Sequence, residues 1–586
     1  MSNSHFAKFP QINLPRSRMK LEFNHKLSMM HGYLTPIDCF PVVPGDTHVM
    51  KKIASLVHMS TPIVPFMDNI DMYVRCFFIP LRLLWRGSSV DDNSFEKFMG
   101  ANKGAGYQQT VPVFPACNFL ATDAGYTKNA QNLRLNLSHM LGKPVQTFRT
   151  VNTDSYSDIV GPKALSVLKE RGYYFIWNEY FRAEQLQGEE PVDYGDGFVV
   201  SGGGINFNMA RVLLTDANTV VQSTGYCWNH ILKKVNKKHD FFTSCTIAPQ
   251  YGPSTLLPMQ GDAPIYIENK SNSDPIDALE AIYPTAGVGS TTYQQLAAGS
   301  GNKAFLAGMD TTQGGVGPVY ADLSQATAAS INSLRFAFAV QRYLERSNYG
   351  SNHFYEILAV HYGVTSPDAR LQRPEYLGGF HYRINVDQVL NATGKTDTDQ
   401  TQLGQKGAVS VTADRHFGFE KGFVEPGYIY ILAYTKQDRT YSDMVLTEDI
   451  KTNRFEFYSP EFANIGDREV LRFELDGKAT SDDVFGYQEA WAEYRYRPSR
   501  CSADLNPSVS GSMPYWTLAD SYALVPQLGS SWIEEDRTAV ARALVTGVNG
   551  PDFLCDWYYE DYAARLMPVY SIPGLIDQEL NKQALI

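Results

Sequence analysis

The sequence lacks a cysteine framework, a long apolar run and an export signal. Its seven cysteines, in 586 residues, never form a C-x-x-C pair, which is typical of reduced, buried thiols rather than disulfides or zinc ligands. No segment approaches the run of about 18 apolar residues that a membrane-spanning helix needs, so we expect no membrane association. The first twenty residues contain no apolar signal region. The sequence therefore predicts a protein that folds in the cytoplasm of a cell.

An excess of positive charge is also missing. The formal net charge is -11, with 51 basic and 62 acidic side chains. A protein whose whole surface binds nucleic acid needs many lysines and arginines to displace the counterions of the phosphates. Any contact with nucleic acid is therefore expected to be local.

Catalytic motifs are absent as well. The sequence has no G-x-x-x-x-G-K-[ST], H-E-x-x-H or G-x-S-x-G, and its twelve histidines show no metal-ligand spacing. Adjacent carboxylates in a strand or loop point apart, so we interpret the acidic pairs as solvated surface rather than glycosidase residues. These pairs are Asp91-Asp92, Glu189-Glu190, Asp482-Asp483 and Glu534-Glu535. We predict no enzyme activity, no catalytic residue, no metal site and no cofactor.

What the chain does have is a strand-like pattern. Hydrophobic residues make up 44% and charged residues only 19%, which indicates well-buried globular units. Residues 72–79 are apolar apart from Arg75 and end at Pro80, as in a buried strand. Similar short runs, bounded by proline and glycine, predict a sandwich or barrel of antiparallel strands. They are residues 32–43, 423–434, 454–458 and 470–475.

Two features interrupt the strand pattern in the middle of the chain. Residues 324–346 predict a helix that Ser324 caps, with Ile331, Leu334 and Phe338 on one face. Immediately before it, residues 285–318 contain eight of the 45 glycines and only two charges. Such a tract is either a flexible surface loop or an exposed projection that contacts another molecule. Composition alone leaves both interpretations open.

The N-terminal segment is basic although the protein is acidic. Its residues 1–26 contain one acidic residue, Glu22, and the prolines Pro10 and Pro15 exclude a continuous helix. The segment is either an extended arm that contacts phosphates or a strap that packs on its own or a neighbouring subunit. The candidate DNA-contacting residues are Lys8, Arg16, Arg18, Lys20 and Lys26.

Seven segments, in order along the chain, resemble the major capsid protein of the Microviridae, and most closely its gokushovirus branch. The resemblance extends from about residue 30 to residue 577 and weakens over about 260–320. The segments are TPIVPFMDNIDMYVRCFFIPLRLLW (61–85), FMG (98–100), KKHDFFTSC (237–245), ATAASINSLR (326–335), GVTSPDARLQRPEYLGG (363–379), GYQEAWAEYRYRPS (486–499) and MPVYSIPGLID (567–577).

The resemblance implies a mainly β fold, the viral jelly roll, with long loop insertions and a few helices. It implies a structural protein that self-associates into a T=1 icosahedral shell around circular single-stranded DNA. We expect a basic arm at residues 1–30, a capsid domain at 31–586, and a surface projection at about 260–320. Within that projection, the candidates for contact with a host receptor are Tyr293, Lys303, Phe305 and Asp310.

The resemblance also implies partners. Copies of the chain would form the shell in the host cytoplasm, and the finished protein would reside in the virion. Subunits at -11 cannot neutralise a genome overall. We therefore expect charge to be segregated between the inner and outer faces, with residues 1–26 facing inward, and a small basic DNA-binding protein beside the packaged DNA. Assembly or scaffolding proteins are further expected partners. The alternative is a non-viral, β-rich carbohydrate-binding or adhesin-like module, which would share the strands and aromatic residues but would form no particles.

Overall fold

A computed structural model provides the structure of the chain. It describes residues 16–86, 94–99, 134–143, 166–192, 194, 200–201, 204–205, 231–252, 265–269, 272–275, 296–299, 303–306, 319–321, 331–349, 360, 372–390, 406–479, 483–567 and 569. The chain divides into two compact units. The first contains Met1–Pro249 and Ser366–Ile586, and the second is Gln250–Thr365.

The described strands, in chain order, are β1 (Ser17–Met29), β2 (Thr35–Val42), β3 (Thr47–Met59), β4 (Ile70–Pro80), β5 (Val200–Ser201), β6 (Gly204–Ile205), β7 (Ile265–Asn269), β8 (Asn272–Pro275), β9 (Leu296–Gly299), β10 (Lys303–Leu306), β11 (Val319–Ala321), β12 (Glu375–Arg383), β13 (Asp387–Leu390), β14 (Lys406–Val409), β15 (Val411–His416), β16 (Glu420–Gly422), β17 (Gly427–Gln437), β18 (Thr440–Tyr441), β19 (Asp467–Leu471), β20 (Val484–Glu489), β21 (Ser499–Arg500) and β22 (Phe553–Arg565). The described α-helices are α1 (Leu81–Leu84), α2 (Ser94–Phe98), α3 (Leu137–Met140), α4 (Leu168–Tyr180), α5 (Ile331–Tyr349), α6 (Thr447–Ile450), α7 (Arg472–Leu475), α8 (Ser530–Ile533) and α9 (Thr538–Ala543). Short 3₁₀ turns include Arg454–Glu456, Pro460–Phe462 and Ala492–Tyr494.

Two antiparallel sheets dominate the first unit. The five-stranded sheet has the order β1-β22-β3-β15, with β16 also paired to β3. The four-stranded sheet has the order β12-β4-β17-β2. The strand near the N-terminus, β1, pairs with the last strand, β22, from Ser17↔Arg565 to Met29↔Phe553. This confirms the predicted mainly β, antiparallel jelly-roll architecture.

The hydrophobic core lies between the two sheets. The five-stranded sheet contributes one face, and the four-stranded sheet contributes the face that includes Val74 and Ile431. Because successive strand residues point to opposite sides, only every second residue of each strand enters this core. Examples of its members from the five-stranded sheet are Met50, Ile53, Val57, Phe553, Cys555 and Trp557.

The other face of the four-stranded sheet is also buried. Phe77, Leu432 and Tyr430 pack there in a second cluster with the helix α4. Gly172 of α4 permits this close approach, since a methyl group at that position would collide with the Tyr430 hydroxyl. That hydroxyl donates a hydrogen bond of 2.9 Å to the Lys169 carbonyl. The central strands of the four-stranded sheet, β4 and β17, are therefore covered on both sides.

The difference in burial explains which strands were predicted. Residues 72–79 lie within β4, which is buried at nearly every position, and the runs at 32–43 and 423–434 correspond to β2 and β17. These three predictions are confirmed. The strand β1 was missed because five of its thirteen residues are exposed and four of these five are charged.

Two further strand predictions are wrong. Within residues 454–458, Arg454–Glu456 form an exposed 3₁₀ turn and the last two residues are irregular. The turn forms because the Asn453 side chain accepts the Phe455 amide at 3.3 Å and Glu456 accepts the Asn453 amide at 3.1 Å. The run at 470–475 is a strand only to Leu471. There the Glu474 carboxylate accepts the Leu471 amide at 3.2 Å and starts the helix α7. Side-chain caps outweighed the strand-like alternation at both places.

The second unit contains the predicted helix and short strands. β7 pairs with β8 and β11, and β9 pairs with β10. The helix α5 covers Ile331–Tyr349, while residues 324–330 of the prediction lie outside the described residues. Phe338 is 65% exposed, so the face that it shares with Leu334 is not buried along its whole length. The half-buried stripe is instead Leu334, Ala337, Val340, Gln341 and Leu344.

Candidate nucleic-acid interface

On the side opposite the core, the described strands of the five-stranded sheet carry exposed or half-buried side chains, and we call this side the open face. Side chains reach it from alternate positions of each strand. The bulge between Glu560 and Asp561 leaves Lys51 without a partner on β22, so Lys51 and Lys52 both escape burial. The members of the open face are Arg18, Lys20, Glu22, Asn24, Lys26, Val49, Lys51, Lys52, Ala54, Leu56, His58, Val411, Ala413, Arg415, Glu420, Leu554, Asp556, Tyr558, Glu560 and Tyr562.

Basic side chains surround two tyrosines on the open face. The Tyr562 ring centroid lies 4.6 Å from the Arg18 guanidinium and 4.4 Å from the Lys51 ammonium. The Lys52 ammonium lies 5.0 Å from the centroid of Tyr558. These distances fall within the range of cation–π contacts. The two rings and their cations therefore form one continuous surface.

Carboxylates neutralise part of this charge. The Lys20 ammonium contacts Glu22 at 2.5 Å and Glu560 at 3.1 Å, and these hydrogen bonds raise the pKa of Lys20. The hydrogen bond from Lys20, with a second from Tyr558, lowers the pKa of Glu22. Lys26 contacts Asp556 at 3.1 Å. The open face nevertheless carries six basic and four acidic side chains. It therefore has a local excess of positive charge, although the net charge of the chain is -11.

One end of the open face is apolar. The register places Val411, His58 and Leu554 side by side on three adjacent strands. Leu56, one pleat away, is also exposed. The open face therefore combines an apolar end with a basic, aromatic end.

Most of the predicted DNA-contacting residues lie at this surface. Arg18, Lys20 and Lys26 are exposed members of β1, and Arg16 precedes the strand and donates to the Thr47 hydroxyl at 3.5 Å. Lys8 lies outside the described residues. The second half of the predicted arm is thus a strand of the sheet. Met19, Leu21 and Phe23 alternate with its exposed residues and are half-buried, and Phe23 packs against the core. The contact of this strand with DNA stays a prediction.

Sequence reasoning missed the other half of the surface. Tyr558 and Tyr562 lie on β22, whose sequence FLCDWYYEDYAAR alternates buried and partly exposed side chains. Lys51 and Lys52 lie on β3, where the same period holds on either side of the bulge. A search for period-two alternation could have found both strands. It could not have shown that they are neighbours.

The predicted host-contacting residues are only partly described. Lys303 and Phe305 lie in β10, where they pair with Gly299 and Ala297 of β9. Tyr293 and Asp310 lie outside the described residues.

One acidic pair differs from its prediction. Glu535, expected at the solvated surface, is fully buried and forms an ion pair with Arg439. Its carboxylate also lies 3.0 Å from the His31 imidazole. Burial by itself would raise the pKa of Glu535, but Arg439 and His31 outweigh it and lower the pKa to about 2. The prediction of a solvated Glu535 is wrong because the buried Arg439 guanidinium offsets the cost of taking the Glu535 carboxylate out of water.

Other reactive chemistry is sparse in the described part of the chain. Burial raises the pKa of the Cys39 and Cys76 thiols to about 12, which leaves them unreactive at neutral pH. Among the residues that the structure describes, no group of three or more histidine, cysteine or acidic side chains could hold a metal ion. None of the described helices is long and apolar enough to cross a membrane.

Comparisons with known proteins agree with one another. The model of the family described as "Capsid protein (F protein)" matches residues 7–575. The chain is 30% identical to the capsid protein VP1 of Bdellovibrio phage phiMH2K over 98% of both chains. It is 30% identical to the capsid protein VP1 of Spiroplasma virus 4 and 28% identical to that of Chlamydia phage 1, over 97% of each chain in both cases.

Proposed function

The chain belongs to the capsid protein family of the Microviridae, and we propose that its open face contacts the packaged single-stranded DNA. The protein is a structural component of the phage virion and assembles with copies of itself into the shell. The family match leaves only residues 1–6 and 576–586 unmatched, so a non-viral carbohydrate-binding or adhesin-like module is not favoured. The proposed role is structural and requires no catalysis.

The proposal rests on the contacts of Arg18 and Lys51 with the ring of Tyr562. Proteins bind single strands by combining aromatic rings, on which bases stack, with cations that follow the phosphates. Tyr558 and Tyr562 supply two rings on the same face of one strand, with Glu560 between them, and the nearby cations lie on the flanking strands. Because the sheet face is uncovered, bases can reach these rings without a change in the backbone.

The charge balance limits what the open face does alone. Four carboxylates lie on the same face, and the whole chain carries -11. We therefore propose that a small basic protein supplies most of the counterions of the genome, while the open face holds the strand locally. The open face would then point into a closed T=1 shell, whose formation involves assembly or scaffolding proteins.

A pair of double variants tests the DNA contact. We expect Tyr558→Ala with Tyr562→Ala to weaken binding of a fluorescent single-stranded oligonucleotide, because each lost stack costs about 1–3 kcal/mol. Lys51→Gln with Lys52→Gln should make the plot of log K against the logarithm of salt concentration less steep. The slope should fall by about 1.4 in magnitude, since each phosphate contact on a single strand contributes about 0.7. Particles of either variant should contain less DNA than wild-type particles.

Tyr515→Ala is the matched control for the tyrosine variants. Tyr515 is exposed and lies in a 3₁₀ turn rather than on the open face. Its removal should change neither oligonucleotide affinity nor DNA content. Unchanged affinity and DNA content in both double variants would contradict the proposed contact.

We also propose that the second unit carries the host-contacting projection. It contains the β9–β10 pair with Lys303 and Phe305, and the glycine-rich tract 285–318 falls within it. Replacing residues 285–318 by a short Gly-Ser linker should leave the first unit folded and reduce attachment to host cells. Normal attachment would contradict the receptor role, and loss of soluble protein would show that the tract is structural.

A further inference from the structure

A second exposed surface lies in the first unit, away from the open face in sequence. We call Phe455, Phe457, Tyr458, Tyr494, Arg495, Tyr496 and Arg497 the aromatic–arginine surface. Each of its five rings is between 48 and 58% exposed. Large exposed aromatic side chains in such numbers within two short segments are unusual on a protein that has no partner.

A cleft of ≈290 Å³ adjoins this surface. The buried ring of Phe242 forms part of its lining, while the exposed Tyr496 and Arg497 stand at its edge. The Arg497 guanidinium lies 3.6 Å from the Glu448 carboxylate, another lining residue. The cleft therefore has an apolar base and an edge with charges of both signs.

The surface is held rigidly from below. Trp491 adopts a left-handed backbone conformation at φ 68°, which is rare for a large side chain, and its indole donates to the Phe462 carbonyl at 2.8 Å. Its ring packs nearly perpendicular to Tyr458, with centroids 5.6 Å apart. Backbone strain of this kind persists only where the surroundings impose it, and it is concentrated at functional sites.

A buried lysine completes the support. The Lys451 ammonium bonds Glu493 at 2.7 Å and lies 4.7 Å from the centroid of Tyr494. Its side chain is only 3% exposed, so the contact with Tyr494 is shielded from water. Rings that are already fixed lose little entropy when a partner binds.

The chemistry of the surface favours a protein partner. Tyrosine, tryptophan and arginine are the residues that most often carry the energy of protein interfaces. The carboxylates of Glu448 and Glu493 at the cleft would repel a polyanion. Residues 494–500 contain three arginines and no acidic residue. Arg495 and Arg497 contact Glu489 and Glu448 of the same chain in exposed pairs, and a second copy with a net charge of -11 can offer further carboxylates.

We propose that the aromatic–arginine surface is buried against a second copy of the chain in the assembled shell. The contact is heterologous, because the surface meets a different, acidic part of its neighbour, and such contacts close into rings about a symmetry axis. This inference rests on membership of the capsid protein family and is independent of the proposed DNA contact.

Assembly of substituted subunits provides the first test. Tyr458→Ala with Tyr494→Ala, and separately Arg497→Glu, should lower particle yield by at least about tenfold, because anchors of this type dominate association. Val424→Ala is the control, since Val424 is 87% exposed and lies outside the surface. The free Arg497→Glu subunit should keep the wild-type melting temperature, and all of the free subunits should keep the wild-type oligonucleotide affinity. Normal particle yield from all of these variants would overturn the inference.

Chemical labelling provides a second test, which measures the burial of the surface directly and does not depend on particle yield. A Tyr496→Cys subunit should react rapidly with a maleimide when free, and at least about tenfold more slowly in particles, with the wild-type protein as the background control. A folded variant that no longer assembles would also support the inference. Equal labelling in particles and free subunits would overturn it, as would protection of free subunits by a single-stranded oligonucleotide alone.

Discussion

The two sheets of the first unit differ in how many of their faces are buried. The four-stranded sheet is covered by the core on one side and by α4 on the other, so β4 is buried at nearly every position. The five-stranded sheet packs against the core on one side only, and β1 alternates between half-buried and exposed residues. The first sheet therefore serves as the structural centre, and the second leaves a face free to bind.

The largest expected difference between the sheets is in their response to truncation. Phe77→Ala should reduce the free energy of unfolding by about 3–5 kcal/mol, because it empties a fully packed site on the helix side of the four-stranded sheet. Leu554→Ala, on the open face, should change it by less than about 0.5 kcal/mol. Urea unfolding of the purified subunit measures both. Similar losses for the two variants would show that the open face is not free.

The same difference in burial determined which strands could be predicted from the sequence. Continuous apolar runs predicted β2, β4 and β17, because a strand buried on both faces needs no polar residues. Residues of β1 were instead interpreted as part of an extended arm because several of them are charged. Met19, Leu21 and Phe23 nevertheless recur at every second position, as expected for a strand. The pairing of β1 with β22 links residues more than 500 positions apart, and no local pattern contains that information.

The candidate site was predictable only in part for the same reason. Arg18, Lys20 and Lys26 were identified from their charge, but Tyr558 and Tyr562 become relevant only when β22 is placed beside β1. The burial of Glu535 was equally hidden, since its partner Arg439 is distant in sequence. Tertiary pairing, rather than local preference, determined each of these positions.

The buried ion pair between Arg439 and Glu535 should make the largest single contribution to the loss of folding stability at acid pH. His31 follows β1 and Arg439 follows β17, so Glu535 connects the ends of both sheets. Because the pKa of Glu535 is lowered to about 2 in the folded protein, its contribution is complete above the ordinary carboxyl value of 4.5 and is lost as the pH falls towards 2.

Replacing this carboxylate tests the assignment. Glu535→Gln should destabilise the protein by about 1.5–3 kcal/mol at pH 7, because the buried Arg439 loses one of its two carboxylate partners and keeps only Asp520. The variant should also lose less stability than the wild type between pH 4.5 and pH 2. Glu560→Gln, on the open face, is the control and should leave the stability at pH 7 nearly unchanged. A wild-type acid profile in Glu535→Gln would refute the role of this pair.

A smaller effect is expected where the helix meets the four-stranded sheet. Gly172→Ala should cost about 1–3 kcal/mol, because the added methyl group collides with the Tyr430 hydroxyl. Tyr430→Phe alone should cost about 1 kcal/mol through the lost hydrogen bond to Lys169. The double variant should be more stable than the sum of the two losses predicts. Strict additivity, measured by urea unfolding, would mean that α4 does not pack as closely as described.

Ultraviolet cross-linking of purified virions, followed by mass spectrometry of the nucleotide-bound peptides, tests the central claim most directly. If the open face holds the packaged DNA, peptides containing Tyr558 and Tyr562 will carry cross-linked nucleotides. Cross-links that occur elsewhere in the chain, with none on β22, β1 or β3, would contradict the assignment of the open face to DNA.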